Sequence, residues 1–158
     1  MSKKKEDIQA EEQEAALTIL RNVARVVAER AEEFKTQELS NTLWAFATLG
    51  FGVPASEFEG KLETASLNDY VVLSSDNQHG DEELLTKAAN AIIESGLPRI
   101  GRFRSQELNN MAWSLARMDR TDSTEFLEAI GLQLCNEQRR LTSQVRTLKT
   151  SVLDRDLS

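Results

Sequence analysis

The chain has 158 residues, of which 40% are apolar and 28% charged, enough for one domain with its own core and too apolar for a wholly disordered chain. A single cysteine excludes an internal disulfide, a single histidine excludes a zinc site of the usual ligand count, and no apolar run approaches the ~20 residues that cross a bilayer. The net charge of −7 is unevenly placed: residues 1–96 carry nine Lys/Arg against eighteen Asp/Glu, and residues 97–158 carry ten against eight. Any nucleic-acid surface therefore belongs to the C-terminal part.

In chain order, Met1-Ser2-Lys3-Lys4-Lys5-Glu6-Asp7 lacks the apolar core of a signal peptide and is too acidic for a transit peptide. Residues 1–11 are expected to be a disordered tail, and the chain reads as cytoplasmic or as lacking its native start. Leu17, Leu20, Ala24, Val27, Ala31 and Phe34 then step by three and four, the seam of an amphipathic helix over 12–33.

Residues 34–50 read F-K-T-Q-E-L-S-N-T-L-W-A-F-A-T-L-G, and residues 103–119 read F-R-S-Q-E-L-N-N-M-A-W-S-L-A-R-M-D. At this offset of 69, Phe34/Phe103, Gln37/Gln106, Glu38/Glu107, Leu39/Leu108, Asn41/Asn110, Trp44/Trp113 and Ala47/Ala116 are identical. Each copy reads as a helix with Thr36 or Ser105 as N-cap and Glu38 or Glu107 in the first turn. Leu39, Leu43 and Phe46 share one face, and Gly50 can end the first copy.

Residues 51–81 are the irregular part, with Leu73 to Gly80 expected as an exposed loop that includes the lone His79. Leu85, Ala88, Ala89, Ile92 and Ile93 form a second seam, stopped by Gly96 and Pro98. After the second copy a further helix starts at Thr124-Glu125-Phe126. Leu141-Thr142-Ser143-Gln144 faintly echoes Phe103-Arg104-Ser105-Gln106 at an offset of 38, which suggests a decayed third copy. The expected organisation is a helical domain over 12–149, divided into repeat one (12–50), an interrupted unit (51–81), repeat two (82–119) and a partial repeat (120–149), with a disordered tail at 150–158.

The motif F-x-x-Q-E-L-x-N-x-x-W-A-x-A-x-L-G resembles the octotricopeptide repeat, and is similar to the repeats that precede RAP domains in organelle RNA-binding proteins. Residues 34–50 match well; residues 103–119 match with Met118-Asp119 in place of Leu-Gly. The resemblance implies an all-α fold, tandem helix–turn–helix repeats forming a short right-handed α-solenoid. It further implies single-stranded RNA as partner, no cofactor, and a place in chloroplast or mitochondrial RNA stability, processing or translation.

Trp44 and Trp113 could stack on bases, but their identical recurrence beside Leu and Ala reads as packing between repeats. Positions that vary between copies are the base-reading candidates: Ser40/Asn109 and Thr48/Arg117. The phosphate-binding candidates are Arg99, Arg102 and Arg104, beside the start of the second copy's helix, where free backbone N–H groups also favour anions. Arg139, Arg140, Arg146 and Lys149 extend that basic stripe. No catalytic constellation and no glycine-rich phosphate loop is present, so no enzyme is expected. The rival reading is a protein-interaction scaffold, docking to other repeat proteins or to itself, or a fragment of a longer repeat array without activity of its own.

Overall fold

The structure, a computed structural model, describes residues 2–51 and 78–156; among these it is all-helical, with five α-helices and no strand. Helix α1 (Ser2–Arg30) has neither glycine nor proline and is built largely of strong helix formers, so it runs through the stretch expected to be a tail. Leu17, Leu20, Ala24 and Val27 are buried along its inner face, as their spacing requires, and Ala31 just beyond its end is buried with them. A 3-10 turn (Ala31–Glu33) follows, closed by the Phe34 N–H donating to the Ala31 carbonyl at 3.2 Å.

Helix α2 (Thr36–Leu49) buries Leu39, Leu43, Phe46 and Ala47. Its N-cap is Lys35 rather than Thr36, and the Lys35 N–H is met by the Glu38 carboxylate at 2.8 Å. The second copy repeats this one residue before Ser105: Arg104 caps helix α4 (Ser105–Arg117), and its N–H donates to Glu107 at 3.1 Å. Thr36 and Ser105 are thus first helical residues rather than caps, and Ser105 turns its hydroxyl to Glu137.

The repeat is as plain in the backbone as in the letters. Phe34 and Phe103 are both extended, at φ −79° and −74°. Gly50 and Asp119 both take a left-handed conformation, at φ 65° and 56°. The next N–H then reaches back five residues, Phe51 to the Phe46 carbonyl at 3.1 Å and Arg120 to the Leu115 carbonyl at 3.0 Å, so both helices end in the same turn.

Helix α3 (Gln78–Gly96) begins within the residues expected as a loop; the rest of that expected loop and most of the irregular unit lie outside the described residues. It continues into a 3-10 turn (Leu97–Arg102) with Pro98 near its start. Helix α5 (Thr124–Asp156) follows a 3-10 turn at Thr121–Ser123. It is continuous through 141–144, where the echo of the motif suggested a new turn, and through most of the expected C-terminal tail.

The helices pack like on like. Helix α1 lies on α3, α2 lies on α4, and α5 closes against α4 and the Leu97–Arg102 turn. One core cluster joins both units, from Leu17 to Ile130. Near their N-termini α2 and α4 are joined by the Ser40 hydroxyl donating to the Glu107 carbonyl at 3.0 Å, and near their C-termini by Arg117 Nε donating to the Ala47 carbonyl at 2.9 Å. Equivalent ends are therefore side by side, and the two helices run parallel in register. Between α1 and α3, Arg21 grips the buried Asp81 carboxylate with two bonds of 2.8 and 3.0 Å.

Candidate nucleic-acid interface

A helix with an inner face of Leu39, Leu43 and Phe46 turns Gln37, Asn41, Trp44 and Thr48 to one side, since these recur at spacings of three and four. The matching strip on α4 is Gln106, Asn109/Asn110, Trp113 and Arg117. Because α2 and α4 are parallel and in register, the strips lie beside one another on one surface.

The tryptophans stand in the middle of that surface. Trp44 is 46% exposed and Trp113 40% exposed, which overturns the expectation that they pack between repeats. The buried work at the α2–α4 contact is done by smaller residues, among them Ser40 and Ser114. The Arg117 guanidinium lies over the Trp113 ring at 5.3 Å from its centroid while its Nε holds the Ala47 carbonyl of the neighbouring helix. No family model, curated protein or solved structure matches this chain.

The seven candidate positions divide by environment. Ser40 is fully buried and hydrogen-bonded to α4, so it does not face outward as a base-reading position must. Thr48 is half-buried, with its hydroxyl oxygen buried and unpartnered among the described residues. Asn109 is exposed one turn before Trp113, and Arg117 sits one turn after it. Arg102 and Arg104 are exposed at the entrance to α4.

Arg99 does something else. Its Nη1 donates to the Phe34 carbonyl at 2.8 Å, its Nε to the Ser95 carbonyl at 2.8 Å, and its Nη2 to the Ala31 carbonyl at 3.4 Å and the Ser95 hydroxyl. It ties the first unit's turn to the second, and most of its five N–H donors are spent inside the fold.

The basic stripe along α5 is exposed at Arg139, Arg140 and Arg146. Among the described residues no group of three or more His, Cys, Asp or Glu side chains is placed to hold a metal ion, and no helix is long and apolar enough to cross a membrane. Cys135 is exposed on α5. What the surface offers is chemical rather than catalytic: two half-exposed indoles, one of them under a guanidinium with an amide one turn away, and two long cationic side chains at the helix entrance.

Proposed function

We propose that this chain is a short α-solenoid that binds single-stranded RNA across the exposed strips of α2 and α4. The observation that carries the reading is the pair of half-exposed tryptophans at equivalent positions of two parallel helices. Like-on-like stacking of successive helix pairs is the packing rule of solenoids, in which a concave or flat ladder of equivalent positions meets an extended ligand. Base stacking on an aromatic side chain is worth about 1–3 kcal/mol per base and tolerates any sequence. Arg102 and Arg104 are suited to hold phosphates, and Asn109 to meet a base edge beside Trp113. The mechanism is occupancy: a covered strand is shielded from nucleases and kept from pairing. The resemblance to octotricopeptide repeats extends the proposal to organellar RNA stability, processing or translation.

The test is filter binding of a labelled random-sequence single-stranded RNA pool at low and physiological salt. Wild type should bind weakly and with a clear salt slope, since phosphate contacts release counterions. Trp44→Ala with Trp113→Ala should weaken binding by about tenfold or more, and Arg102→Ala with Arg104→Ala should reduce the salt slope by roughly two contacts' worth. Arg99 is left intact, because its loss would undo the turn. Equal binding by wild type and the tryptophan variant would sink the proposal.

A further inference from the structure

Three helices of this chain play the same part, each preceding or standing in place of a motif helix: α1, α3 and α5. Aligned at the offset of 69, Ile19, Val23 and Val26 of α1 correspond to Ala88, Ile92 and Ser95 of α3. At the further offset of 38 the same positions of α5 are Phe126, Ile130 and Gln133.

In α3, and at the first two of the three positions in α5, these side chains are turned inward, against the unit that comes before. Ala88 and Ile92 are fully buried, each about 20° around the helix from Asp81, which grips Arg21, while Leu84 and Ala91 beside them line a cleft shared with α1. Ser95 is half-buried and shares Arg99 with the carbonyls of Ala31 and Phe34. Phe126 and Ile130 are buried too, and the Phe126 ring lies so close to Gly96 that a β-carbon there would meet it at 3.2 Å. In α1 the same three positions are open: Ile19 is 63%, Val26 45% and Val23 36% exposed.

The geometry points to α1 carrying an acceptor face for one more helix of the same kind, stacked parallel to it as α1 is stacked on α3. The internal interface also states the chemistry of the occupant. There the preceding helix supplies a cation, Arg21, to the following helix's carboxylate, Asp81. At the next step the equivalent of Arg21 is Asn90, which accepts a hydrogen bond from Arg120. The equivalent of Asp81 on the open face is Glu12, which is exposed. The occupant is therefore an amphipathic helix with an aliphatic stripe and an arginine or lysine on its flank, offered by a helical unit of a different chain. A second copy fits worse: its α5 carries Glu128 at the position equivalent to Arg21, which would set a carboxylate against Glu12.

The proposal is tested with a synthetic peptide of residues 11–33 of this chain, which holds the known donor face and Arg21, titrated calorimetrically into the full-length protein. Binding is expected, weakened at least tenfold by Val23→Asp or Glu12→Lys in the protein and by Arg21→Glu in the peptide. Circular dichroism of both protein variants, altered only at exposed positions, checks that they remain folded. No heat of binding, or equal binding by the variants, overturns the acceptor face. If sedimentation instead finds the wild type self-associating and the Val23→Asp variant monomeric, the occupant is a second copy and the choice of a different chain is overturned. Neither variant touches α2 or α4, so both should bind RNA like wild type, and failure of one proposal leaves the other standing.

Discussion

Gly50 and Asp119 close two copies of one turn with different means. The left-handed conformation costs most side chains about 1–2 kcal/mol, aspartate somewhat less, and glycine almost nothing. Asp119→Gly should therefore raise stability by about 0.5–1 kcal/mol in chemical denaturation, with the partly compensating loss that glycine's freer unfolded chain brings. A fall in stability would show that the Asp119 side chain holds the turn. The substitution of Leu-Gly by Met118-Asp119 was legible as a departure from the motif; that the backbone keeps the same φ regardless was not. Arg99 shows the limit from the other side. Its basic neighbourhood suggested phosphate, but its partners Phe34 and Ala31 lie 65 and 68 residues away, and no local pattern announces them.

Among the elements, the inner seams were the most legible. Leu17, Leu20, Ala24, Val27 and Ala31 are buried because apolar residues at three-and-four spacing share one face. The tryptophans were misread for a physical reason: identical recurrence marks whatever the repeat needs, and a repeated surface recurs as faithfully as a repeated core. The wheel held a clue, since Trp44 is one residue and about 100° beyond Leu43. Ser40 reversed the same error, a small polar side chain that lets two helices approach and then bonds to a backbone carbonyl. The α1–α3 pairing was not readable at all, because its register depends on Arg21 meeting Asp81 across 60 residues. The hydrogen bond to Asp81 raises the Arg21 pKa beyond its already high ordinary value, so the guanidinium stays charged throughout. Asp81→Asn would leave that charge half-buried with one partner fewer and should cost about 2 kcal/mol in urea denaturation. Glu83→Gln, at an exposed pair with Lys87, should change nothing measurable and serves as the control.

For the molecule as a whole, several carboxylates lean on cations. Hydrogen bonds from Arg120 and Arg30 hold Asp122 and Glu33 below their ordinary values. A carboxylate lowered in the folded state contributes stability above its unfolded value, and that contribution is lost as pH falls through the folded one. Thermal melts should therefore be nearly flat from about pH 8 to 5 and decline below about pH 4. The carboxylates themselves are exposed, so the decline they cause is shallow and salt-sensitive; a melting temperature that rose on acidification would contradict this account.

The placement of Trp44 and Trp113 also fixes what the protein emits. Neither indole belongs to the core, so native tryptophan fluorescence should already lie close to that of solvated indole. Unfolding, which dismantles the packing of Leu43, Phe46 and Met111, should shift that emission little while far-ultraviolet ellipticity collapses. The chain thus carries an intrinsic optical probe of one outer surface that is nearly blind to the integrity of the fold. Trp44→Phe would leave a single emitter, Trp113, beneath the Arg117 guanidinium, and its quenching by a neutral solute such as acrylamide would report how open that one strip is.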